Sequence, residues 1–494
     1  MLMQKGAKTQ LSLVDNLCKE LENNNIRYCH WKSNAFLHLS ASGVNDLDLL
    51  VSRRDIQLFN EILLKLGFKL AFPPPGRSFP GILHFYGYDT TSDKLIHVHT
   101  HYQLIIGHDA TKNYHIPIEE PFLNSATKKN IFMVPSPEFE MVLFVMRMVL
   151  KHSTWYALAD RQGSLSPNEL QEKVYLQNII SNTMINDILN RHLPYFDITL
   201  FHACIRSLEP NCSIFFRIKV AHRLQKILNS NARHSTSFDL YLKIFRRIAS
   251  GVQFHVFKNE FKKKFSSGGC MIAFVGGDGA GKTTAVQNIR NWLSKDFRVF
   301  NFHLGKPDWS YTTKIVRGIL KIGSFLGFYP FIRGQLSYSR NKDLLEFPGY
   351  PWMLREICLA RDRYLTYLRA RRLFLKGFIV ICDRYPISNL KLMDSPKIER
   401  MSCNNKSNFL IKLSNKLEKR YYKLISFPEI LLVLRVDPAN SVHRKNNEDP
   451  ISVKARSTEV YNTDWSLFDA EVVNANLSKE KVFLNLKNII WSRL

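Results

Sequence analysis

Apolar residues in the stretch 9–24 recur at helical spacing, with Leu11, Val14, Leu17, Cys18 and Leu21 on one side. A short apolar strand is expected over residues 26–31. A turn through Gly43 then runs into a second strand ending at Val51. Residues 56–66 read as a helix. Three further strands are expected at 68–72, 82–88 and 94–100, with Pro73-Pro74-Pro75-Gly76 as the break after the first. This small α/β unit ends near residue 120. From Pro135 to about Lys264 the pattern turns helical, and Ser136-Pro137-Glu138 marks the start of a long helix. Residues 257–269 are Lys-rich, end in Ser-Ser-Gly-Gly, and read as a linker. A new α/β unit opens with the apolar run Met271–Val275. The expected division is 1–120, a helical connector over 121–266, and 267–494. A chain of 494 residues is too long for one core.

Charge adds a second constraint. The chain holds 69 Lys+Arg against 42 Asp+Glu, a net charge of +27. Such a field attracts polyanions: nucleotides, phosphorylated acceptors, nucleic acid or an anionic membrane surface. No clear nucleic-acid motif accompanies it. The eight cysteines form no C-x-x-C pair, so a reduced, cytoplasmic chain is the simplest expectation. No stretch reaches the roughly 18 apolar residues of a membrane span. Peripheral membrane contact through the basic surface stays compatible with the composition.

The sharpest chemical signal is Gly276-Gly277-Asp278-Gly279-Ala280-Gly281-Lys282-Thr283-Thr284, which fits G-x-x-x-x-G-K-[ST]. It follows an apolar strand and precedes a helix-like segment. Glycines let backbone N–H groups curl around phosphate, and the following helix adds its positive end. Lys282 is expected at the β- and γ-phosphates, and Thr283 at Mg²⁺. About a hundred residues on, the buried strand ending Cys382-Asp383-Arg384-Tyr385 places a carboxylate and a guanidinium at a strand's carboxyl end, where doubly wound sheets gather chemistry. A third strand ends at Asp437-Pro438. A helix with Arg444 follows, and then a basic stretch with Lys454 and Arg456 that reads as irregular.

Residues 270–490 resemble the thymidylate kinase family of nucleoside monophosphate kinases. The phosphate loop, Asp383-Arg384-Tyr385 with Ser388, Ala360-Arg361-Asp362-Arg363, and the closing Val473-Asn474-Ala475-Asn476 carry the resemblance. It implies a doubly wound parallel-sheet P-loop kinase that uses ATP and Mg²⁺. Asp278, Arg363, Arg384 and Tyr385 would face the acceptor. Asp383 would act near the metal, Asn474 near the adenine, and Arg444 and Arg456 in a lid. A homodimer is compatible with the family. Three departures leave the acceptor open. Val275 stands where that family has Glu, Asn389-Leu390-Lys391-Leu392 replaces its A-Y-Q run, and residues 300–351 are unlike its acceptor loop.

In the N-terminal unit, Asp46 and Asp48 sit two apart on a strand, so their carboxylates leave one face. Paired carboxylates suit Mg²⁺ and nucleotidyl transfer. With His30-Trp31-Lys32-Ser33-Asn34 ahead of them, they resemble the minimal nucleotidyltransferase fold over residues 10–120. Lys32-Ser33 takes the place of that family's Gly-Ser pair. The fold's third carboxylate should come from a later strand. The candidate strand offers His97, His99 and His101 instead. These read as metal ligands, as phosphate or substrate contacts, or as ordinary strand positions.

The leading expectation is an ATP-dependent kinase of a nucleoside monophosphate or other phosphorylated or sugar acceptor, fused to a nucleotidyltransferase-like domain, active or degenerate. The alternatives are a nucleotidyltransferase with an ATP-binding regulatory domain, and a basic nucleic-acid- or membrane-associated ATP switch.

Overall fold

The computed structural model describes residues 10–159, 163–255, 262–328, 349–401 and 408–494. They form two compact units, Met1–Ser266 and Ser267–Leu494.

The first unit is built on a six-stranded sheet. Its strands are β1 (Tyr28–His30), β2 (Leu47–Val51), β3 (Lys69–Phe72), β4 (Ile82–Asp89), β5 (Lys94–His101) and β6 (Lys264–Phe265). The spatial order is β1-β2-β5-β4-β3-β6. The β2–β5 pair is parallel and the other neighbours are antiparallel. Helices Ser12–Asn23 and Ile56–Lys65 cover one face. Their apolar stripes (Val14, Leu17, Leu21; Phe59, Ile62, Leu63) meet Leu47, Leu49, Phe85 and Val98 in one core.

Two departures from the sequence reading follow from packing. The expected linker supplies β6: Lys264 and Phe265 pair with Phe72 and Ala71, satisfying the edge of β3. Residues 256–261 lie outside the described set. The helical stretch also shares a core with the sheet. Helix Pro137–His152 is buried almost all round, which a helix wedged between layers must be. Its Met141, Phe144, Val145 and Met148 join Cys29, Trp31 and Leu50 from the sheet and Leu189, Phe201 and Leu224 from later helices. Among the described residues no helix is long and apolar enough to cross a membrane.

The second unit has a five-stranded, all-parallel sheet: β7 (Cys270–Gly276), β8 (Val299–His303), β9 (Ile379–Asp383), β10 (Ile430–Arg435) and β11 (Ala470–Asn474). The spatial order is β8-β9-β7-β10-β11, so the first strand of the unit lies at the centre. β7, β9 and β10 are buried along nearly their whole length, as strands covered by helices on both faces are. Every strand ends on the same edge. That edge brings Gly276, His303, Asp383, Arg435 and Asn474 together as the carboxyl ends. The stretch expected to be irregular around Lys454 and Arg456 is a helix, Pro450–Asn462. Asp449 caps its first N–H groups and Pro450 opens its first turn.

Candidate functional site

Two clusters collect the chemistry, one in each unit. In the first, Asp46 lies just ahead of β2 and Asp48 is its second residue. Parallel pairing sets Asp48 opposite His99 of β5. Antiparallel pairing sets His84 of β4 opposite His99, and Tyr86 opposite His97. Strand alternation then puts Asp46, Asp48, His84, His97, His99 and His101 on one face.

The three histidines divide into two roles. His97 is held on both ring nitrogens: Nδ1 lies 3.0 Å from Asp46 Oδ2, and Nε2 lies 3.0 Å from His84 Nδ1. It stacks on Tyr86 with centroids 4.6 Å apart. His99 Nδ1 lies 2.9 Å from Asp48 Oδ1. His101 is wholly buried against Trp31 and His99, and neither of its ring nitrogens has a hydrogen-bond partner. Asp48, His99 and His101 offer ligand atoms within 4.8 Å of one another.

The electrostatics favour neutral imidazoles beside ionised carboxylates. Burial alone would raise the Asp48 carboxyl, but Lys32, whose Nζ is 2.9 Å away, and His99 hold it well below the usual range. Burial pushes His99 down to about 4 and His84 to about 2, and drives His101 well below its ordinary value. Burial and the Lys32 charge also push the Lys112 ammonium down to about 8. Sequence reading missed His84 and Lys112. The alternation His84-x-Tyr86-x-Tyr88 was the available signal for the first. Lys112 carries no local signature.

The segment after β1 is also fixed by distant groups. Ser33 adopts the left-handed φ of 60°. Its amide and hydroxyl donate to Glu172, while the amide and side chain of Asn34 donate to Glu140.

A family model described as an uncharacterised nucleotidyltransferase matches residues 3–162. Residues 3–162 are nucleotidyltransferase-like. No curated protein matches the chain. In this nucleotidyltransferase-like part Asp46 and Asp48 share one face, with His99 at the position on β5 that faces Asp48. The donor set around Asp48 is therefore one carboxylate with imidazoles, which does not match the all-oxygen shell that Mg²⁺ prefers.

In the second unit the loop from Gly276 to Thr284 joins the end of β7 to helix Lys282–Leu293. Its close packing demands glycine. A Cβ on Gly277 would fall 2.6 Å from Ser457 Oγ, and Gly279 has φ +74° with the Ser441 carbonyl 2.9 Å from its Cβ position. Lys282 is buried and its Nζ donates to the Gly276 and Gly277 carbonyls at 2.8 and 2.7 Å. Burial, helped by Arg384, pushes that ammonium down to about 8. Thr283 Oγ1 lies 3.5 Å from Asp383 Oδ2, and the buried Asp383 Oδ1 has no hydrogen-bond partner. Thr284, Ala280 and Gly281 complete the loop without a side-chain role of their own in these contacts.

Asp278 is buried at the loop, with Arg456 Nη1 2.7 Å from one oxygen and Arg384 Nη2 3.8 Å from the other. Arg384 holds the left-handed φ of 55°, a backbone state that costs a non-glycine residue and gathers at functional positions. Arg444 Nη1 donates to the Ala475 carbonyl at 3.1 Å and reaches Gly279 O at 3.4 Å. It thus ties the glycine loop to the turn after Asn474, whose side chain accepts from the Asn476 amide.

Two residues expected to face an acceptor do not. Tyr385 turns into the core under the sheet, and its hydroxyl donates to the Ser426 carbonyl. The chain reverses at Arg384, so the next side chain points inward. Arg363 is buried, with Nε on Leu304 O at 2.7 Å and Nη2 on Asp394 Oδ1 at 3.0 Å and Gly305 O at 3.2 Å. It fixes the loop after β8 and the Asp394 carboxylate. Asp394 and half-buried His303 are the additions that sequence reading left without a role. A Cβ at Gly305 would meet both Arg384 and Asp394, and burial lowers the His303 imidazole beside Asp383 and Arg384.

Proposed function

We propose that the second unit is an ATP- and magnesium-dependent kinase of a small phosphorylated acceptor, carried on one chain with a nucleotidyltransferase-like unit. One observation carries this reading. The glycine loop leaves the central strand of a parallel sheet, and the neighbouring strand ends in Asp383, beside Thr283. Phosphoryl transfer needs positioned cations and a bound metal more than covalent chemistry from the protein. Lys282 and the loop amides would hold the donor phosphates. The orphaned Asp383 Oδ1 and the Thr283 hydroxyl fit a magnesium ion, which would neutralise charge on the phosphates. Arg384 and Arg456 gather around Asp278 next to the loop, and these cations favour an anionic acceptor, such as a nucleoside monophosphate or a sugar phosphate. Incubation with γ-labelled ATP and a panel of such acceptors tests the reading. Label should reach one acceptor class and be lost with Lys282→Ala. Equal transfer by that variant would exclude this loop as the donor site.

A further inference from the structure

We propose that the nucleotidyltransferase-like unit holds a borderline transition-metal cation of the Zn²⁺ or Co²⁺ kind, in preference to Mg²⁺, on Asp48, His99 and His101. The ligand atoms already lie within 4.8 Å of one another. His99 Nδ1 and Asp48 Oδ1 are 2.9 Å apart in a hydrogen bond, so a tetrahedral ion about 2.1 Å from each would take the place of that proton and part the two by about half an ångström.

An independent observation points the same way. Both nitrogens of His101 are fully buried beside this group and have no hydrogen-bond partner. Buried polar atoms are almost always satisfied, and an unsatisfied one calls for an ion or water. Imidazole suits Zn²⁺ and its neighbours, whereas Mg²⁺ selects oxygen. The strand position facing Asp48 carries the imidazole of His99, and His101 adds a second, so the donor set holds two nitrogens and one carboxylate. The chain His84–His97–Asp46 orients the second carboxylate beside the site, as outer groups do around bound metals. Lys32 competes with the cation, since its ammonium sits 2.9 Å from the same Asp48 oxygen.

The inference stands apart from the kinase reading, and its test uses no nucleotide. The full-length protein, stripped with chelator, is titrated by calorimetry with Co²⁺, Zn²⁺ and Mg²⁺, and Co²⁺ binding is followed by its visible absorption. Co²⁺ and Zn²⁺ should bind at least about a hundredfold more tightly than Mg²⁺. His101→Ala should weaken Co²⁺ binding by about tenfold or more. Lys32→Met should tighten it, a direction that mere damage to the fold would not give. His99→Asp should move the preference toward Mg²⁺. Equal affinity of the wild type for Mg²⁺ and Co²⁺ would overturn the proposal whatever the variants do. So would Co²⁺ binding that ignores both Lys32→Met and His99→Asp.

Discussion

The amide and hydroxyl of Ser33 both donate to the Glu172 carboxylate, at 3.0 and 3.1 Å, across 139 residues of chain. Arg147 meets the same carboxylate at 3.2 Å. Glu172 therefore locks the left-handed turn after β1 to the helical part of the first unit. Glu172→Ala should destabilise the protein by about 3 kcal/mol, because it strands a partly buried guanidinium and two donors. Urea unfolding followed by far-UV circular dichroism measures this. A loss below about 1 kcal/mol would mean the turn holds itself.

That contact also explains what the sequence could not convey. The glycine-rich loop was legible because its nine residues are contiguous, with a strand before and a helix after. The strand with His97, His99 and His101 was legible through alternation. The pairing of Asp48 with His99 was not, because strand register depends on neighbours far along the chain. The inward turn of Tyr385 follows from the backbone state of Arg384, which no residue type announces. The division near residue 120 rested on a change of pattern, yet Cys29, Trp31 and Leu50 share a core with helix Pro137–His152.

Glu140 sets a pH dependence in the same region. Burial raises its carboxyl from 4.5 to about 7 in the fold. Between those values the folded unit retains a proton that the unfolded chain has released. This contribution to stability is full below about pH 4.5, declines as pH rises, and is gone above about 7. Glu140→Gln should flatten the fall. Thermal melts of both proteins from about pH 5 to about pH 8 give the comparison, and parallel curves would exclude Glu140 as the source.

The loop glycines should rank by what surrounds them. Gly281 has φ +85° and nothing near its Cβ position, so Gly281→Ala meets only backbone strain, about 1 kcal/mol. Gly277→Ala drives a methyl group to 2.6 Å from Ser457 Oγ and 2.8 Å from Ser457 Cα. Overpacking of this kind costs about 1–3 kcal/mol and must separate the loop from helix Pro450–Asn462. Gly277→Ala should therefore lower both the melting temperature and ATP affinity more than Gly281→Ala. The reverse order would contradict the packing.

Under the proposed kinase reading, Lys282 gives nucleotide binding a pH signature. Burial and Arg384 push its ammonium down to about 8 in the free protein. Bound phosphate would raise that value, so binding above about pH 8 must take up a proton. ATP affinity should then fall by about tenfold per pH unit above 8, the slope for one proton. Lys282→Arg, whose guanidinium stays charged, should remove the slope. Fluorescent-nucleotide titrations across this range decide it, and a flat wild-type profile would show that Lys282 keeps its charge in the free loop.

Arg456 reaches from its helix to Asp278 at 2.7 Å, while Arg384 stays 3.8 Å from the other oxygen. Asp278 is buried, so these two cations stand in for the water it has lost. Removing Arg456 alone should leave a buried carboxylate with one distant partner, and removing Asp278 alone should free Arg456 to swing with its helix. The two losses should not add. A double-mutant cycle of Asp278→Asn and Arg456→Ala, read by guanidinium unfolding, should give a coupling of about 1–3 kcal/mol. Under the proposed kinase reading, the same cycle read by ATP turnover should show kcat falling with either change, because both loosen the helix that packs against the loop. Additive stability effects would mean that the contact does not hold the helix against the loop, and the helix would then owe its place to Ser457 and its packing against Gly277.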